Sequence, residues 1–336
     1  VKKTACIYTS NTGVGLVSDV DLLQDLLFEY YDIDVVYFNH KFNTQTLRYQ
    51  MLTKSLNAAF GTTKLDKYDV GIFIQCYSEE HSVLNKKNIF IPNEEWLDVN
   101  ILSQLHKVDT VVCKSTFARE LLTPYNNNVV STGFISLDKN NNQVERKNNF
   151  LHLGGKSWQK GTESVLSSFN KNKLPLTFIH SNKNFENLHK EKNINYISDF
   201  LDSSKLDSII NENVIHICPS IYEGWGHYMY EALSVGALTY VTKLPMFIEF
   251  LDPDLVVFLD CKFQQLDTKS KFLFLNSDRS NNTHQFGWVV DQNCLDNNIL
   301  EYKKHLETHK PDKVRAFFKH LNEENSKKLL NVFLNI

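Results

Sequence analysis

No apolar run in this 336-residue chain approaches the roughly 20 residues of a helical membrane span. The opening residues, Val1 to Tyr8, read as a first core strand, and their apolar part is too short for a signal peptide. No C-x-x-C pair occurs among the six cysteines; Cys6, Cys76, Cys113 and Cys218 fall in predicted strands and read as reduced core residues of a cytosolic protein. Charge of one sign is not in excess: the net charge of -3 gives no electrostatic case for nucleic acid. Neither His81 nor His152 has a partner at metal-ligand spacing, so both read as polar surface or strand-end residues. What these absences leave is a cytoplasmic globular protein without a membrane span. Its length suggests about two domains, and 42% apolar with 22% charged residues fits that class.

What is present is alternation. Predicted strands at 3–9, 33–38, 68–76, 88–92, 108–113 and 129–132 are interleaved with helices at 16–30, 44–60, 97–106 and 116–122, the last capped by Ser115. A polar, Asn-rich linker at 136–149 follows. The second set has strands at 150–153, 176–180, 194–197, 214–218, 237–241 and 255–259, with helices at 161–169, 228–235 and 294–308. Residues 267–285 form an insertion with no assignable element, and Pro311 opens a last helix at 312–334. Such alternation predicts an α/β fold with parallel sheets covered on both faces.

The most informative stretch runs from His216 to Val241 and reads as strand, loop, helix, strand, with Gly236 as a left-handed helix stop. In such a unit ligands bind beyond the carboxyl ends of the strands, beside helix N-termini. Pro219, Ser220, Glu223, Gly224, Trp225, Gly226, Glu231, Ala232 and Gly236 together resemble the E-x7-E signature of retaining glycosyltransferases of family 4. The resemblance is close over 149–244. It implies the GT-B architecture: two Rossmann-like domains facing across a cleft, with the C-terminal helix crossing back to the first. The implied domains are 1–135 completed by 312–336, and 150–311, which would bind the nucleotide-sugar.

The resemblance also implies roles. Lys160, in Lys160-Gly161, and Lys156 would neutralise the donor diphosphate; Gly155 stands where the family has Arg, and Lys156 comes one residue later. Glu231 would accept hydrogen bonds from the ribose. Glu223, with the amides of Gly224, Trp225 and Gly226, would hold the transferred sugar, and the helix start at His227 would face the β-phosphate. Gly13 and Gly15, after the first strand, would lie over the donor phosphates or the acceptor. Beyond Pro92, Asn93, Glu94 and Glu95 would face the cleft, Glu95 as a catalytic candidate and the other two on the acceptor side. Read from residues alone, the same stretch is equally a helix-start box with Asn93 as cap and Trp96 in the core. Lys114 and Arg119 add charge on that side.

Three D-x-D tripeptides, at Asp19, Asp32 and Asp252, fall on a helix, a strand start and a turn, so no catalytic metal and no cofactor are expected. A nicotinamide site is disfavoured because Ser18 replaces the third glycine and the second strand ends Phe38-Asn39-His40 without an acid. The expected activity is transfer of a sugar from a nucleoside-diphosphate donor, UDP or GDP, to a glycan, lipid or protein hydroxyl with configuration retained. The alternatives are a degenerate GT-B module that binds nucleotide or glycan without turnover, and a sugar-nucleotide epimerase on the same fold.

Overall fold

A computed structural model describes residues 2–10, 13–38, 67–181, 191–198, 201–270 and 283–335. The predicted helix at 44–60 lies outside the described residues, as do Asn39, His40 and the centre of the 267–285 insertion. The first sheet holds β1 (Lys3–Ser10), β2 (Tyr31–Phe38), β3 (Tyr68–Ile74), β4 (Asn85–Ile91), β5 (Thr110–Cys113) and β6 (Val129–Ser131) in the order β2-β1-β3-β4-β5-β6. The second holds β7 (Lys147–Gly155), β8 (Leu176–His180), β9 (Ile194–Ile197), β10 (Asn213–Cys218), β11 (Leu238–Thr242) and β12 (Val257–Leu259) in the order β12-β11-β10-β7-β8-β9. Every pairing in both sheets is parallel.

Helices on both faces explain why the strands read as continuous apolar runs. In β1, residues Ala5 to Ser10 are all buried, and Tyr8 stacks on Phe73 of β3 at 4.6 Å. In the second sheet Ile215 and Ile217 of β10 share a core with Phe150 and Phe178. The strand order reverses between β1 and β3 in one sheet and between β10 and β7 in the other. A parallel sheet opens a crevice at such a switch point, so the topology fixes where ligands can enter each domain.

The helices used below are α1 (Val14–Leu27), α2 (Thr116–Leu122), α3 (Thr162–Asn172), α4 (His227–Ser234) and α5 (Pro311–Leu334). Helix α4 ends as expected. Gly236 has φ +68°, its N–H reaches Leu233 O at 2.9 Å, and Ala237 N reaches Ala232 O at 3.0 Å, which together make a Schellman stop. Helix α5 starts against that stop, where Pro311 O lies 2.9 Å from a Cβ placed on Gly236. It then crosses back to the first domain, where Tyr31 Oη donates to Phe333 O at 2.6 Å and Asn325 Nδ2 donates to Phe134 O at 2.9 Å. Its buried Val314, Phe318, Leu329 and Phe333 join the α1 side of the first core.

Several expectations change. The flanks of the 267–285 insertion belong to an antiparallel hairpin, β13 (Cys261–Ser270) with β14 (Thr283–Val290), pairing Phe263 with Trp288 and Gln265 with Phe286. Polar residues between the aromatics hid that pattern. A helix at Ser203–Glu212, capped by Asp202, stands where none was read. The predicted helix 294–308 breaks at Glu301 into Gln292–Leu300 and Tyr302–Thr308. His152 is not at the surface: it is fully buried, with Nδ1 against Ile217 O at 2.8 Å and Nε2 against Thr162 Oγ1 at 2.9 Å. Burial pushes its pKa down to about 4, so the ring is neutral and structural. No helix among the described residues is long and apolar enough to cross a membrane.

Candidate active site

The second domain brings two sequence stretches together at the β7/β10 switch point. After β7 the chain makes a tight turn at Trp158–Lys160 and enters α3; after β10 it runs through the loop 219–226 into α4. Ile221 N donates to Gln159 O at 2.7 Å, which ties loop to turn. Gly161 makes the approach possible: its φ is +66°, and a Cβ there would sit 2.1 Å from Pro219 O. Lys160 Nζ is thereby placed 2.6 Å from Glu223 Oε1 and 3.6 Å from the centre of the Tyr228 ring. Ser220 Oγ donates to the same Glu223 oxygen at 2.7 Å and lies 2.6 Å from Tyr228 Oη. The Lys160 and Glu223 side chains are 20% and 12% exposed, sheltered yet reachable by a ligand.

The first domain supplies the opposite wall from the tip of β4. Glu95 Oε1 accepts from Gly224 N at 3.1 Å across the seam. Gly224 permits this close approach: a Cβ there would lie 2.9 Å from Glu95 Oε2 and 3.0 Å from Asn93 Oδ1. Asn93 does not act as a helix cap; its Nδ2 donates to Gln75 Oε1 at 3.2 Å. Glu94, expected on the acceptor side, is fully buried, and neither of its carboxyl oxygens has a hydrogen-bond partner among the described residues. Among the described residues, Glu95 Oε2 and the Tyr222 hydroxyl are likewise buried without one. Burial, then the neighbouring Glu95, holds Glu94 well above the usual carboxylate range. Burial, then the Glu223 charge, pushes Glu95 up to about 7.

A carboxyl whose pKa is higher folded than unfolded stabilises the fold fully below its ordinary value, here 4.5, and that stabilisation is lost as pH rises through about 7. Glu95→Gln keeps an oxygen for Gly224 N and cannot ionise. Its melting temperature is expected to exceed wild type at pH 8 and to approach it near pH 5. Parallel stability curves between pH 5 and 8 would contradict the assignment.

Gln75, just beyond β3, was not singled out from sequence. Its φ of +62° is the left-handed region that an L side chain adopts only at a cost of about 1–2 kcal/mol. The strain sits at the cleft edge, where its amide holds Asn93. Gln75→Gly is expected to gain about 1 kcal/mol in stability while lowering turnover. A variant neither more stable nor less active would show that the strain has no bearing on the site.

Beyond the loop, Trp225 is buried and stacks on Tyr230 at 4.2 Å, so only its backbone remains for a ligand. His227 opens α4 with its ring held by Asp19 Oδ1 at 2.8 Å from Nε2 and by Ser136 Oγ at 3.0 Å from Nδ1. Glu231, one turn further on, is partly buried and its carboxylate has no hydrogen bond among the described residues. Burial raises its pKa, opposed by the charges of His227 and Lys139. Gly155 ends β7 and Lys156 follows it, both exposed, and Gly13 and Gly15 are exposed at the start of α1, where a Cβ would meet nothing within 4 Å among the described residues. The structure thus gathers Lys160, Glu223, Gly224 and Glu95 into one contact set, with Asn93 and Gln75 behind it. Lys156 stands outside that set.

Lys114 does not line the cleft, although its charge opposes the upward shift of Glu94 and Glu95. It is buried against Asp19, Nζ to Oδ2 2.8 Å, with both side chains 2% exposed. Burial alone would raise Asp19, but Lys114 and His227 hold its carboxyl below the usual range. Removing one partner of so enclosed a pair typically costs about 3–5 kcal/mol. The D-x-D at Asp19 is therefore committed to a lysine and a histidine.

No family model and no curated protein matches this sequence. Solved structures do match over essentially the whole chain. Sucrose-phosphate synthase from Thermosynechococcus elongatus superposes with a TM-score of 0.62 at 10% identity, over 99% of this chain and 98% of that one. The UDP-forming α,α-trehalose-phosphate synthase from Burkholderia xenovorans, solved with glucose-6-phosphate, gives 0.64 at 9% identity over 99% of each chain. An Anabaena protein solved with UDP and glucose gives 0.62 at 10% identity, over 98% of this chain and 99% of that one. At such identities the likeness establishes the fold alone, and the chain has the two-domain GT-B architecture.

Proposed function

We propose that this protein is a retaining, family-4-like glycosyltransferase that moves a sugar from a nucleoside-diphosphate donor to an acceptor hydroxyl. The observation that carries the reading is the Lys160–Glu223 pair at the β7/β10 switch point, faced by Glu95 at Gly224 N. A donor offers what both partners want: an anionic diphosphate for Lys160, and sugar hydroxyls that donate to Glu223. Oε2 of Glu223 has no partner among the described residues and can take such a hydroxyl without disturbing Ser220. The start of α4 presents amides and positive dipole to the β-phosphate. Glu231, one helical turn along, accepts from the ribose.

In this reading the chain supplies charge and position, with no catalytic metal or cofactor. Lys160 transfers its contact from Glu223 to the diphosphate as negative charge grows there, which stabilises the departing group. Lys156, on the exposed turn, adds a longer-range contribution. The acceptor attacks from the face the diphosphate leaves, and the leaving phosphate takes its proton. Glu95 and Asn93 orient the sugar from the first domain. UDP is the first nucleotide to test, because UDP accompanies glucose in one structural neighbour.

The deciding experiment is calorimetry with UDP and GDP, followed by incubation of the corresponding sugar donors with and without candidate acceptors. Binding of a nucleoside diphosphate and acceptor-dependent loss of donor support transfer. Binding without turnover would favour a degenerate binding module, and conversion of donor without acceptor would favour an epimerase. No binding of either diphosphate would overturn the donor assignment.

A further inference from the structure

A chain of buried polar contacts leaves the proposed donor site and ends deep in the first domain. Lys114 lies just beyond β5, with Nζ 4.3 Å from the centre of the Phe134 ring and 2.8 Å from Asp19 Oδ2. Asp19 Oδ1, on α1, lies 2.8 Å from His227 Nε2. His227 Nδ1 lies 3.0 Å from Ser136 Oγ, and Trp225 Nε1 donates to that same hydroxyl at 2.9 Å. Asn322 of α5 fixes Ser136 through both backbone groups, at 2.9 Å each. Asp19 of α1 and Ser136 thus hold the imidazole at the first position of α4 from its two ring nitrogens, and Lys114 and Asn322 of α5 in turn hold those two partners. An Asp-His-Ser order suggests hydrolytic chemistry, but Ser136 is 2% exposed and already accepts from Trp225, so no substrate reaches it.

From this geometry we infer that Asp19 is a positioning residue for the donor site. It locks the first turn of α4 onto the first domain through His227, so that diphosphate binding at that turn and closure of the two domains are one coupled event. The inference rests on the donor reading above, which places the β-phosphate at the start of α4. Three physical steps carry it. The imidazole belongs to the residue whose own amide opens the helix, so moving the ring moves the proposed phosphate contact. Asp19 is itself immobilised by Lys114, so the anchor is rigid rather than a solvent-facing side chain. The contact crosses between domains, and a ligand that requires α4 in this position must favour the closed arrangement by the same factor that closure favours the ligand. A second tie across the same seam shares the load: Thr116, first residue of α2, donates from N and from Oγ1 to Glu249, both at 2.7 Å.

Asp19→Asn would leave Lys114 buried without its counter-charge, so His227 is the better probe. His227→Phe keeps an aromatic ring beside Phe134, whose ring centre is 6.1 Å away, and removes both hydrogen bonds. His227→Gln retains an amide donor for Asp19 and serves as the conservative rescue. Three readouts are compared with wild type: UDP affinity by calorimetry, donor KM against kcat, and radius of gyration by solution scattering without nucleotide. For His227→Phe the expected result is a UDP Kd and a donor KM raised by about tenfold or more, kcat kept within a few-fold, and an expanded radius of gyration. His227→Gln should recover most of each change. If His227→Phe binds UDP as wild type does while only its melting temperature falls, the role of His227 is structural and the coupling is overturned. If wild type itself binds neither UDP nor GDP, the donor reading fails and takes the coupling with it.

Discussion

Lys160→Ala is expected to lower kcat/KM on the best donor by about 10- to 150-fold, the 1.5–3 kcal/mol of a lost charge-assisted hydrogen bond. The fold should survive. The side chain is one-fifth exposed, and the Glu223 carboxylate it releases keeps Ser220 as a partner. Burial of the pair is incomplete, so the unpaired Glu223 can recruit water and the cost in stability stays well below that of an enclosed pair. The loss should fall on kcat more than on KM, because charge on the leaving diphosphate is greatest in the transition state. Lys160→Arg is not a neutral control: the bulkier guanidinium must replace an ammonium seated 3.6 Å from the Tyr228 ring centre. Lys156→Ala, on an exposed turn, should cost less. Steady-state kinetics alongside thermal unfolding separates these effects. Full activity in Lys160→Ala would remove the lysine from the site altogether.

The loop and helix at 219–236 were legible in the sequence because each position has its own physical demand. A glycine must stop α4, a glycine must let Glu95 reach the loop, and carboxylates must face hydroxyls at fixed spacing. The alternation of strands and helices was legible for a similar reason, since strands buried on both faces are apolar throughout. What was not legible is pairing at a distance. Nothing local links Lys160 to Glu223, because the link is made by Gly161 lying against Pro219. Asp19 and His227 are 208 residues apart, and the first of them read as part of a D-x-D. Glu94 and Glu95 read as cleft-facing or as part of a helix-start box; only the tertiary structure shows that both are enclosed, with Glu95 against Gly224 N. His152 misled in the same direction, because a polar residue inside a strand is satisfied only by partners from β10 and α3.

Glu223 and Glu231 should fail in different ways. Glu231, whose carboxylate has no hydrogen bond among the described residues, is placed to hold the ribose, which changes little between bound donor and transition state. Glu231→Gln should therefore raise donor KM and leave kcat largely intact. Glu223 shares an oxygen with Lys160 and Ser220 and faces the sugar, whose anomeric carbon gains positive charge as the diphosphate departs. Glu223→Gln removes that charge and misplaces the sugar, so kcat should fall by about 100-fold or more. The free nucleoside diphosphate lacks the sugar and separates the two roles. Its binding should weaken in Glu231→Gln. In Glu223→Gln it should hold or tighten slightly, since Lys160 no longer has a carboxylate competing with the phosphate. Calorimetry on both variants with one nucleotide decides the matter. Equal losses, or a loss confined to Glu223→Gln, would mean that ribose and sugar are not divided between these two carboxylates.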